Sequence, residues 1–440
     1  MSNIGLAEKI RVFKELLKKI HAGEDVGKLK QEFADVLRQV NPVEIPIIEQ
    51  ELIKEGFRVD DVIALCDLHL ELFRDFLVGK ELRDVPRGHP LGIMIRENDL
   101  IMKLSEVLAL HAGALRNADT PEKVGEALEG LRKTLLDVKG TRVHYRKLQM
   151  TIFPYLERRG IYAVPRVLWG KEDEIIQATR KLLKKVEEAS AESLTPEARE
   201  EIAKAAEDLS RKLADQVFRE NKILYPSLWA MLTEGEWAAI KEIGDDIGHL
   251  VDPGEEWVPE AEPVMPYEIT PEVTPELMKK LPPELRMMVG GEIEPDRYEI
   301  RGEEDIELPT GFLTPEEVDA VFRALPLEIT YANMDDRIRY FSQSFLHKGF
   351  VRTKTIVGRK LEYCHPPRLE YYVKHVVKQL KEGRHPYREF WTRMGGRIIR
   401  VLIVPVKNRK GEQIGTVEIV EDLTEVVNNP EAIKKKILVL

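Results

Sequence analysis

The spacing of apolar residues predicts a helical first half of the chain. Between residues 5 and 80 they recur every three or four positions, which is typical of amphipathic helices. Asn41-Pro42 separates two of these helices, because the residue before a proline is pushed out of the helical conformation. Further helices are predicted near 44–55 and 60–77, so residues 5–80 are expected to form an all-α module.

Longer helical patterns follow a break at Val85–His89. Polar or proline- and glycine-containing segments separate them, including a predicted loop over 160–170. Thr195 followed by Pro196 is a helix start signal, since threonine caps the free amides and proline fits the first turn. A four-helix bundle over 86–252 is therefore expected, closed by a short helix at 236–247. The four predicted helices are 91–115, 121–156, 173–191 and 195–232.

The pattern changes twice beyond the bundle. Residues 253–310 are rich in proline and glutamate, which predicts a stiff acidic linker. Beyond Thr314, a second helix start, apolar residues alternate with polar ones, which predicts strands. Two strands, a helix at 366–382 and three more strands indicate an α+β domain over 311–428, with an antiparallel sheet and helices on one face. The predicted strands are 329–332, 338–341, 387–394, 397–406 and 413–421.

Composition narrows the functional classes. The 77 acidic residues outnumber the 67 basic ones, and a net charge of -10 argues against nucleic-acid or anionic-lipid partners. No stretch of 18 apolar residues suggests a membrane span, and no signal peptide is evident at the start. Two cysteines, Cys66 and Cys364, favour a cytoplasmic protein without a disulfide framework. The phosphate-binding GxxxxGK[ST] and GxGxxG motifs are absent, so binding is expected rather than nucleotide chemistry.

Three sets of motifs resemble known domains. The first, with EQELIKEGF and LCDLHLELF, is similar to the helical domain of unknown function 438. The second, with HPLGIMIREN, HYRKLQMTIFPYLE, VLWGKEDEI and ENKILYPSLWAMLTEGEW, resembles the hemerythrin-like HHE cation-binding bundle. The third, with RIRYFS, VGRKLEYCHPP, EFW and IGTVEIVEDLT, resembles a PAS sensor domain. The resemblance implies a multi-domain protein: an all-α N-terminal module, a hemerythrin-like four-helix bundle and an α+β PAS domain.

The hemerythrin resemblance implies a pair of irons bound by about five histidines and two carboxylates. The bundle offers His89, His111 and His144, and no histidine occurs between Tyr145 and Gly248. Gln149 and Gly92 also stand where relatives commonly carry a carboxylate and a histidine. A complete five-histidine centre is therefore not expected.

Two alternatives remain for this bundle. It binds iron or another divalent metal in a mixed or carboxylate-rich site, or it has lost the metal and serves as a dimerisation or signal-coupling element. Further carboxylates are available at Glu172, Asp173 and Glu174. The residues predicted for the mixed site are His89, Glu97, His144 and Glu220.

The cysteines mark two further candidate sites. Cys66 and His69 are three residues apart on a predicted helix, so they face the same side and form a weaker metal-binding or activated-thiol candidate. The alternative is a buried thiol with a hydrogen-bonded histidine. In the PAS-like region, the resemblance implies a small molecule, haem or flavin between sheet and helices, unless these side chains only fill the core. The residues predicted to contact it are Tyr340, Arg359, Cys364, His365 and Trp391.

The expected function is a cytosolic sensor or regulatory protein, in which a PAS domain responding to a small-molecule, gas or redox cue is coupled to a bundle with a depleted metal site. The alternative is a metal-dependent redox or iron-handling protein that uses His69, His89, His144 and Glu220. About 15 residues follow the PAS-like region, so signal output is expected through a protein partner, through a homodimer or back to the helical bundle.

Overall fold

The structure, a computed structural model, describes residues 84–269, 295–343 and 352–437, Leu82, and the N-terminal positions 8, 11–12, 15–16, 19 and 26–33. It divides into two compact units, Met1–Tyr298 and Glu299–Leu440. None of the helices in the described part is long and apolar enough to cross a membrane.

The N-terminal region is helical where it is described, with helix α1 at Val26–Glu32. The helices predicted near 44–55 and 60–77 lie outside the described residues, and Cys66 and His69 lie there with them.

Four helical paths form the predicted bundle. Each packs against two neighbours, in the order α2, α3, α6 and α7 around the bundle. The second and fourth paths continue through short helices, and α9 follows the last path. The bounds are α2 Pro90–Arg116, α3 Pro121–Gly140, α4 Arg142–Lys147, α5 Phe153–Arg158, α6 Ala163–Glu188, α7 Pro196–Arg219, α8 Tyr225–Met231 and α9 Glu234–Ile247.

Side-chain caps fix the helix starts. The Thr195 hydroxyl accepts a hydrogen bond from the amide of Ala198, which confirms the predicted start of α7. At α9, Thr233 and Glu236 form a reciprocal capping box. The predicted loop at 160–170 is wrong, because α6 already begins at Ala163. Pro165 lies in the first turn of that helix, where its missing N–H breaks no hydrogen bond.

Two short π-helical segments, here called π-turns, interrupt the second and fourth paths. Leu148–Ile152 links α4 to α5, and Glu220–Leu224 links α7 to α8. A proline, Pro154 or Pro226, is the second residue after each π-turn. A proline ring within a regular helix collides with the carbonyl four residues earlier, and the wider π-turn accommodates it.

The bundle core consists of two apolar clusters. One contains Met94, Leu168 and Leu224, and the other contains Ile101 and Val217. Between them, every helical path contributes buried polar residues. We use the name polar centre for one histidine or glutamate from each path, and these four residues are Glu97, His144, Glu172 and Glu220.

The first part of the predicted linker packs on the bundle. The amide of Val264 donates to the carbonyl of Gly235 at 2.9 Å, and the hydroxyl of Tyr155 donates to the carbonyl of Val264 at 2.7 Å. A Cβ on Gly88 would lie 1.7 Å from the carbonyl oxygen of Glu255. Backbone thus meets backbone there, and residues 252–269 are part of the bundle unit.

The second unit is built on a five-stranded antiparallel sheet, preceded by a small hairpin, β1–β2. The strand order is β4-β3-β7-β6-β5. The observed strands agree with the predicted ones to within a few residues. The bounds are β1 Ile306–Leu308, β2 Gly311–Leu313, α10 Pro315–Ala324, β3 Glu328–Asn333, β4 Ile338–Phe341, α11 Pro367–Lys381, β5 Arg388–Met394, β6 Arg397–Lys407, β7 Gln413–Asp422, α12 Thr424–Asn428 and α13 Pro430–Lys435.

Helices lie on both faces of this sheet. The aromatic rings of Tyr372 on α11 and Phe390 on β5 are 5.4 Å apart, which places α11 on one face. Ile338 pairs with Ala332 and Tyr340 with the preceding Tyr331, so the register shift between β3 and β4 places Tyr340 on the opposite face from Ile338. The ring of Phe322 on α10 packs 5.3 Å from Tyr340.

Candidate functional site

His144 is the middle of the polar centre. Its Nδ1 donates to Glu97 at 2.7 Å and its Nε2 donates to Glu220 at 2.8 Å. The imidazole and both carboxylates are almost completely excluded from solvent. Burial opposes the charged ring, but Glu220 and Glu97 outweigh burial and raise the pKa of His144 to about 9. The ring is therefore an imidazolium at neutral pH, and it bridges two helical paths.

A second cation lies on Glu97. Lys147 donates to Glu97 Oε1, and the backbone amide of Leu250 donates to the same oxygen at 2.9 Å. Burial alone would raise the pKa of Glu97, but His144 and Lys147 lower it to about 2. Lys147 also donates to Nδ1 of His249 at 3.0 Å, so the chain of contacts reaches the edge of the bundle.

Glu220 is held by neutral groups as well as by His144. The hydroxyl of Tyr225 donates to it at 3.0 Å, and the amide of Gln216 donates to its other oxygen at 2.8 Å. Asn98 donates to the Tyr225 hydroxyl at 3.1 Å. Both oxygens of Glu220 therefore have hydrogen-bond donors.

Glu172 differs from the other two carboxylates. Its Oε2 accepts from Gln149 at 2.6 Å, while its buried Oε1 has no partner within the described part of the chain. Burial and the neighbouring charge of Glu220 raise the pKa of Glu172 well above its usual value. Two other buried acceptors nearby, Asn98 Oδ1 and Gln216 Oε1, also have no partner there.

These contacts define the charge of the polar centre. The negative charges of Glu97 and Glu220 are balanced by the positive charges of His144 and Lys147. Glu172 is the remaining carboxyl group. A buried carboxylate without a counter-charge is strongly unfavourable, so Glu172 requires a proton or a bound cation.

The ring of His89 has other neighbours. It lies between the rings of Trp229, Trp237 and Trp257, with centroid distances of 5.1, 4.8 and 4.5 Å. Its Nδ1 accepts from the amide of Leu91 and caps α2, and burial lowers the pKa of His89 to about 4. His89 precedes Glu97 by about 12 Å along the helix axis. The structure thus brings Glu97, His144 and Glu220 together and places His89 in an aromatic box.

The five residues predicted for the PAS ligand are spread over the sheet unit. Tyr340 lies on edge strand β4 and Trp391 on the opposite edge strand β5, which places them about 19 Å apart at ~4.8 Å per strand. The Trp391 side chain is 53% exposed and donates to Glu389. These two aromatic residues do not line one compact pocket.

Cys364 and His365 lie together before α11, and Arg359 is exposed. The thiol of Cys364 is half-buried and donates weakly to the carbonyl of Lys360 at 3.8 Å, and burial raises the pKa of the thiol. Nδ1 of His365 is 3.0 Å from the carbonyl of Leu361. The cysteine is therefore mainly a thiol at neutral pH rather than an activated thiolate.

The sheet unit has its own buried polar groups, which sequence reasoning missed. Arg352 donates to Glu328 on β3 and, at 2.8 Å, to Glu418 on β7. The hydroxyls of Thr330 and Thr416 are buried on the same face and have no partner within the described residues. The signal was present in β3, where Glu328 and Thr330 occupy the inward-facing positions of the alternating pattern.

Three parts of the chain match family descriptions. Residues 13–78 match the family of unknown function DUF438, residues 89–228 match the hemerythrin HHE cation binding domain, and residues 318–424 match a PAS domain. The chain is a DUF438–hemerythrin–PAS protein. The three matches confirm the predicted identity and order of the modules.

Solved structures add similarity over about a quarter of the chain. A crystal structure of a C-terminal domain from Streptococcus mutans is 30% identical, covering 28% of this chain and 96% of that chain, with a TM-score of 0.27. The PAS domain of a protein from Colwellia psychrerythraea is 15% identical, covering 25% of this chain and 97% of that chain, with a TM-score of 0.21. No curated protein matches the chain.

The hemerythrin domain of this chain does not fit a five-histidine di-iron centre. Its polar centre contains one imidazole, and both nitrogens of that ring are bonded to carboxylates. Within the described ranges, no group of three or more histidine, cysteine or carboxylate side chains is arranged to hold a metal ion. The donors do include three carboxylates, which are ligands for hard divalent metals.

The sequence held clues to several residues of the centre that were not predicted. Lys147 follows His144 by three residues and Gln216 precedes Glu220 by four, which are the spacings of helix neighbours. Gln149, which stands where relatives commonly carry a carboxylate, is the hydrogen-bond partner of Glu172. Asn98 and Tyr225 enter the centre from positions that carry no distinctive spacing.

Proposed function

We propose that the protein is a sensor in which the PAS domain receives a small-molecule, gas or redox cue and the hemerythrin domain relays it without a metal. One observation carries the second half of the proposal: both ring nitrogens of His144 are used in hydrogen bonds, Nδ1 with Glu97 and Nε2 with Glu220. A histidine that binds a metal needs one nitrogen for the ion. In this bundle the protonated ring of His144 takes the place of a metal ion that would bridge Glu97 and Glu220.

A polar centre of this kind is suited to coupling helices. Separating the partners of a buried ion pair leaves an uncompensated charge. The helical paths therefore favour the one relative arrangement that keeps Glu97, His144 and Glu220 in contact. A bound ligand shifts such an arrangement only if it binds one state more tightly than another. The proposed relay therefore requires that PAS ligand occupancy change the stability of the bundle.

Two observations support a polar ligand in the PAS domain. The hydroxyls of Thr330 and Thr416 are buried without partners in the described part, and an unsatisfied buried polar group costs about 1–3 kcal/mol. Cys364 and His365 adjoin the Arg352 side of the sheet, since Arg352 and Glu418 both act electrostatically on the thiol. We propose Cys364 and His365 as ligand contacts, with Arg359 at the rim and Tyr340 and Trp391 further out.

Metal analysis and absorbance spectroscopy test this proposal. Protein purified without chelator is expected to contain far less than one equivalent of iron, manganese or zinc and to unfold identically before and after chelation. A haem or flavin absorption band in the purified protein would show that the PAS ligand is that cofactor instead of a small polar molecule. Cys364→Ala and His365→Ala variants would then locate its binding site.

A second candidate function, binding of iron or another divalent metal, rests on Glu172. Its unpartnered oxygen adjoins Glu220, and the acceptors of Asn98 and Gln216 are also unpartnered in the described chain. The predicted set of His89, Glu97, His144 and Glu220 would then be replaced by Glu97, His144, Glu172 and Glu220. Stoichiometric metal that is lost in Glu172→Gln, together with oxygen or peroxide consumption, would favour this function over the metal-free relay.

We also propose a route for signal output. The signal is passed to a protein partner or to a second copy of the chain in the cytoplasm. Size measurement of the full chain, and capture of partners with and without reductant, address this expectation.

A further inference from the structure

We propose that a groove between the α3–α4 junction and α6 binds a small organic anion with an apolar body, such as an aromatic monocarboxylate. The groove has a volume of about 120 Å³. It uses no residue of the polar centre and goes beyond the proposed relay.

The floor of the groove is apolar. Val138 and Ile175 form its buried part, and Ile176 and Leu183 extend it toward solvent. The groove lies where α3 ends at Gly140 and α4 begins at Arg142. An enclosed cavity of about 150 Å³ holds benzene, and this groove is somewhat smaller but open to solvent, so it suits at most one ring, with its polar group outside the floor.

The polar groups on the floor are already satisfied as donors. The hydroxyl of Thr141 donates to the carbonyl of Val138, and the hydroxyl of Thr179 donates to the carbonyl of Ile175, both at 2.7 Å. Recognition of a polar ligand group therefore falls to the rim.

The rim is cationic. Four basic residues line it, and Glu187 is the acidic residue among the lining side chains. The Lys184 ammonium is 3.8 Å from Glu188, a long and exposed pair that leaves the ammonium accessible to a ligand. The basic residues are Lys139, Arg142, Arg180 and Lys184.

This local charge contrasts with the whole chain. A net charge of -10 repels anions in general, so an anion is attracted only where basic groups are concentrated. A carboxylate whose apolar body lies on Val138 and Ile175 would meet the basic rim. An uncharged molecule of the same shape would gain the apolar contacts alone.

The test uses the full chain titrated with benzoate and with benzyl alcohol, followed by calorimetry and ligand-observed NMR. Benzoate is expected to bind saturably, and benzyl alcohol at least tenfold more weakly. Lys184→Glu is expected to weaken benzoate binding about three- to tenfold, since an exposed ion pair contributes modestly and the reversal adds repulsion. The matched control is Lys181→Glu, the same charge change at an exposed position of α6 outside the groove.

Because both lysines are exposed, circular dichroism is expected to show the same fold for both variants. The proposal is overturned if benzoate does not saturate, if benzyl alcohol binds equally well, or if the two variants weaken benzoate binding to the same extent. None of these outcomes bears on the metal content of the polar centre.

Discussion

The hemerythrin and PAS domains both bury an ion-pair cluster, but to different depths. In the bundle, the side chains of Glu97, His144 and Glu220 are 0–1% exposed. In the sheet unit, Arg352 and Glu328 are 10% and 6% exposed and Glu418 is 20% exposed. Solvent therefore screens the PAS cluster in part and leaves the bundle cluster to balance its own charge.

The difference shows how each domain tolerates charge. A helical bundle surrounds its centre with side chains on every side, so a buried polar atom there can be satisfied only by partners inside the bundle. In a sheet the charged groups lie on one face, and long side chains on that face can reach solvent at its edge. We therefore expect the bundle to be the more sensitive of the two to loss of a single partner.

The largest effect is expected for His144→Leu. The change leaves Glu97 and Glu220 buried with fewer counter-charges and is expected to reduce the free energy of unfolding of the bundle by about 3–5 kcal/mol. Denaturant unfolding followed by circular dichroism measures it. Arg146→Leu, an exposed change two residues away, is the control. A loss below 1 kcal/mol in His144→Leu would contradict the charge balance described above.

The stabilisation by His144 is expected to depend on pH in a defined direction. The pKa of His144 is raised from 6.5 to about 9, so its contribution is complete below pH 6.5 and is lost as the pH rises through about 9. The pKa of Glu97 is lowered from 4.5 to about 2, so its contribution is complete above pH 4.5 and is lost as the pH falls through about 2. The stability difference between wild type and His144→Leu should be largest between pH 4.5 and 6.5. A difference that does not change between pH 5 and 10 would argue against a charged ring.

A smaller effect is expected for the equivalent change in the PAS domain. Arg352→Met removes one partner of Glu328 and of Glu418, but Glu418 reaches solvent, so we expect a loss of about 1–3 kcal/mol in the free energy of unfolding of this domain. Arg339→Met on the exposed side of β4 is the control. A loss as large as that of His144→Leu would remove the contrast between the domains.

Glu172→Gln is expected to stabilise the bundle by about 1 kcal/mol at pH 8. The pKa of Glu172 is raised in the folded state, so folding of the wild type is favoured at low pH and becomes less favourable as the pH rises toward that pKa. Glutamine keeps the shape and removes this dependence, so the gain should shrink toward pH 4. Asp173→Asn, at an exposed neighbour, is the control. A strong destabilisation at pH 8 would indicate a bound cation instead of a proton.

The smallest effect is expected for Thr330→Val. Valine replaces a buried hydroxyl without a partner in the described part by a methyl group of the same shape, so stability should be unchanged or rise by up to about 1 kcal/mol. Thermal unfolding with and without candidate ligands measures it. A clear loss of stability in the ligand-free protein would show that the hydroxyl has a partner.

Much of the fold was predictable because the signals are local. Alternation identified the strands of the PAS domain, and Thr195 and Thr314 identified helix starts through their own hydrogen bonds. The start of α6 was missed because Pro165 and the flanking glycines resemble a loop, although proline is acceptable in a first turn. Packing of residues 252–269 on the bundle depends on backbone contacts at Gly88 and Gly235, which side-chain patterns do not report.

The candidate site was harder to predict than the fold. Glu97, His144 and Glu220 were predicted together, and the structure places them in contact. His89 was grouped with them by its motif, but its neighbours are tryptophans, one of which comes from the predicted linker. Contacts between residues so far apart in sequence, such as Glu97 with Leu250, follow from the tertiary fold alone.

The two π-turns have a consequence for comparing this chain with others. Each turn inserts one residue relative to a regular helix, so positions beyond Leu148–Ile152 and Glu220–Leu224 are rotated by about 100° from where uninterrupted helical counting would place them. A helical wheel drawn from Pro121 through Arg158 therefore assigns the wrong face to the residues after the turn. Deleting one residue within either π-turn would shorten the helix by little, yet it would turn α5 or α8 away from its packing partners and force Pro154 or Pro226 into a regular helix.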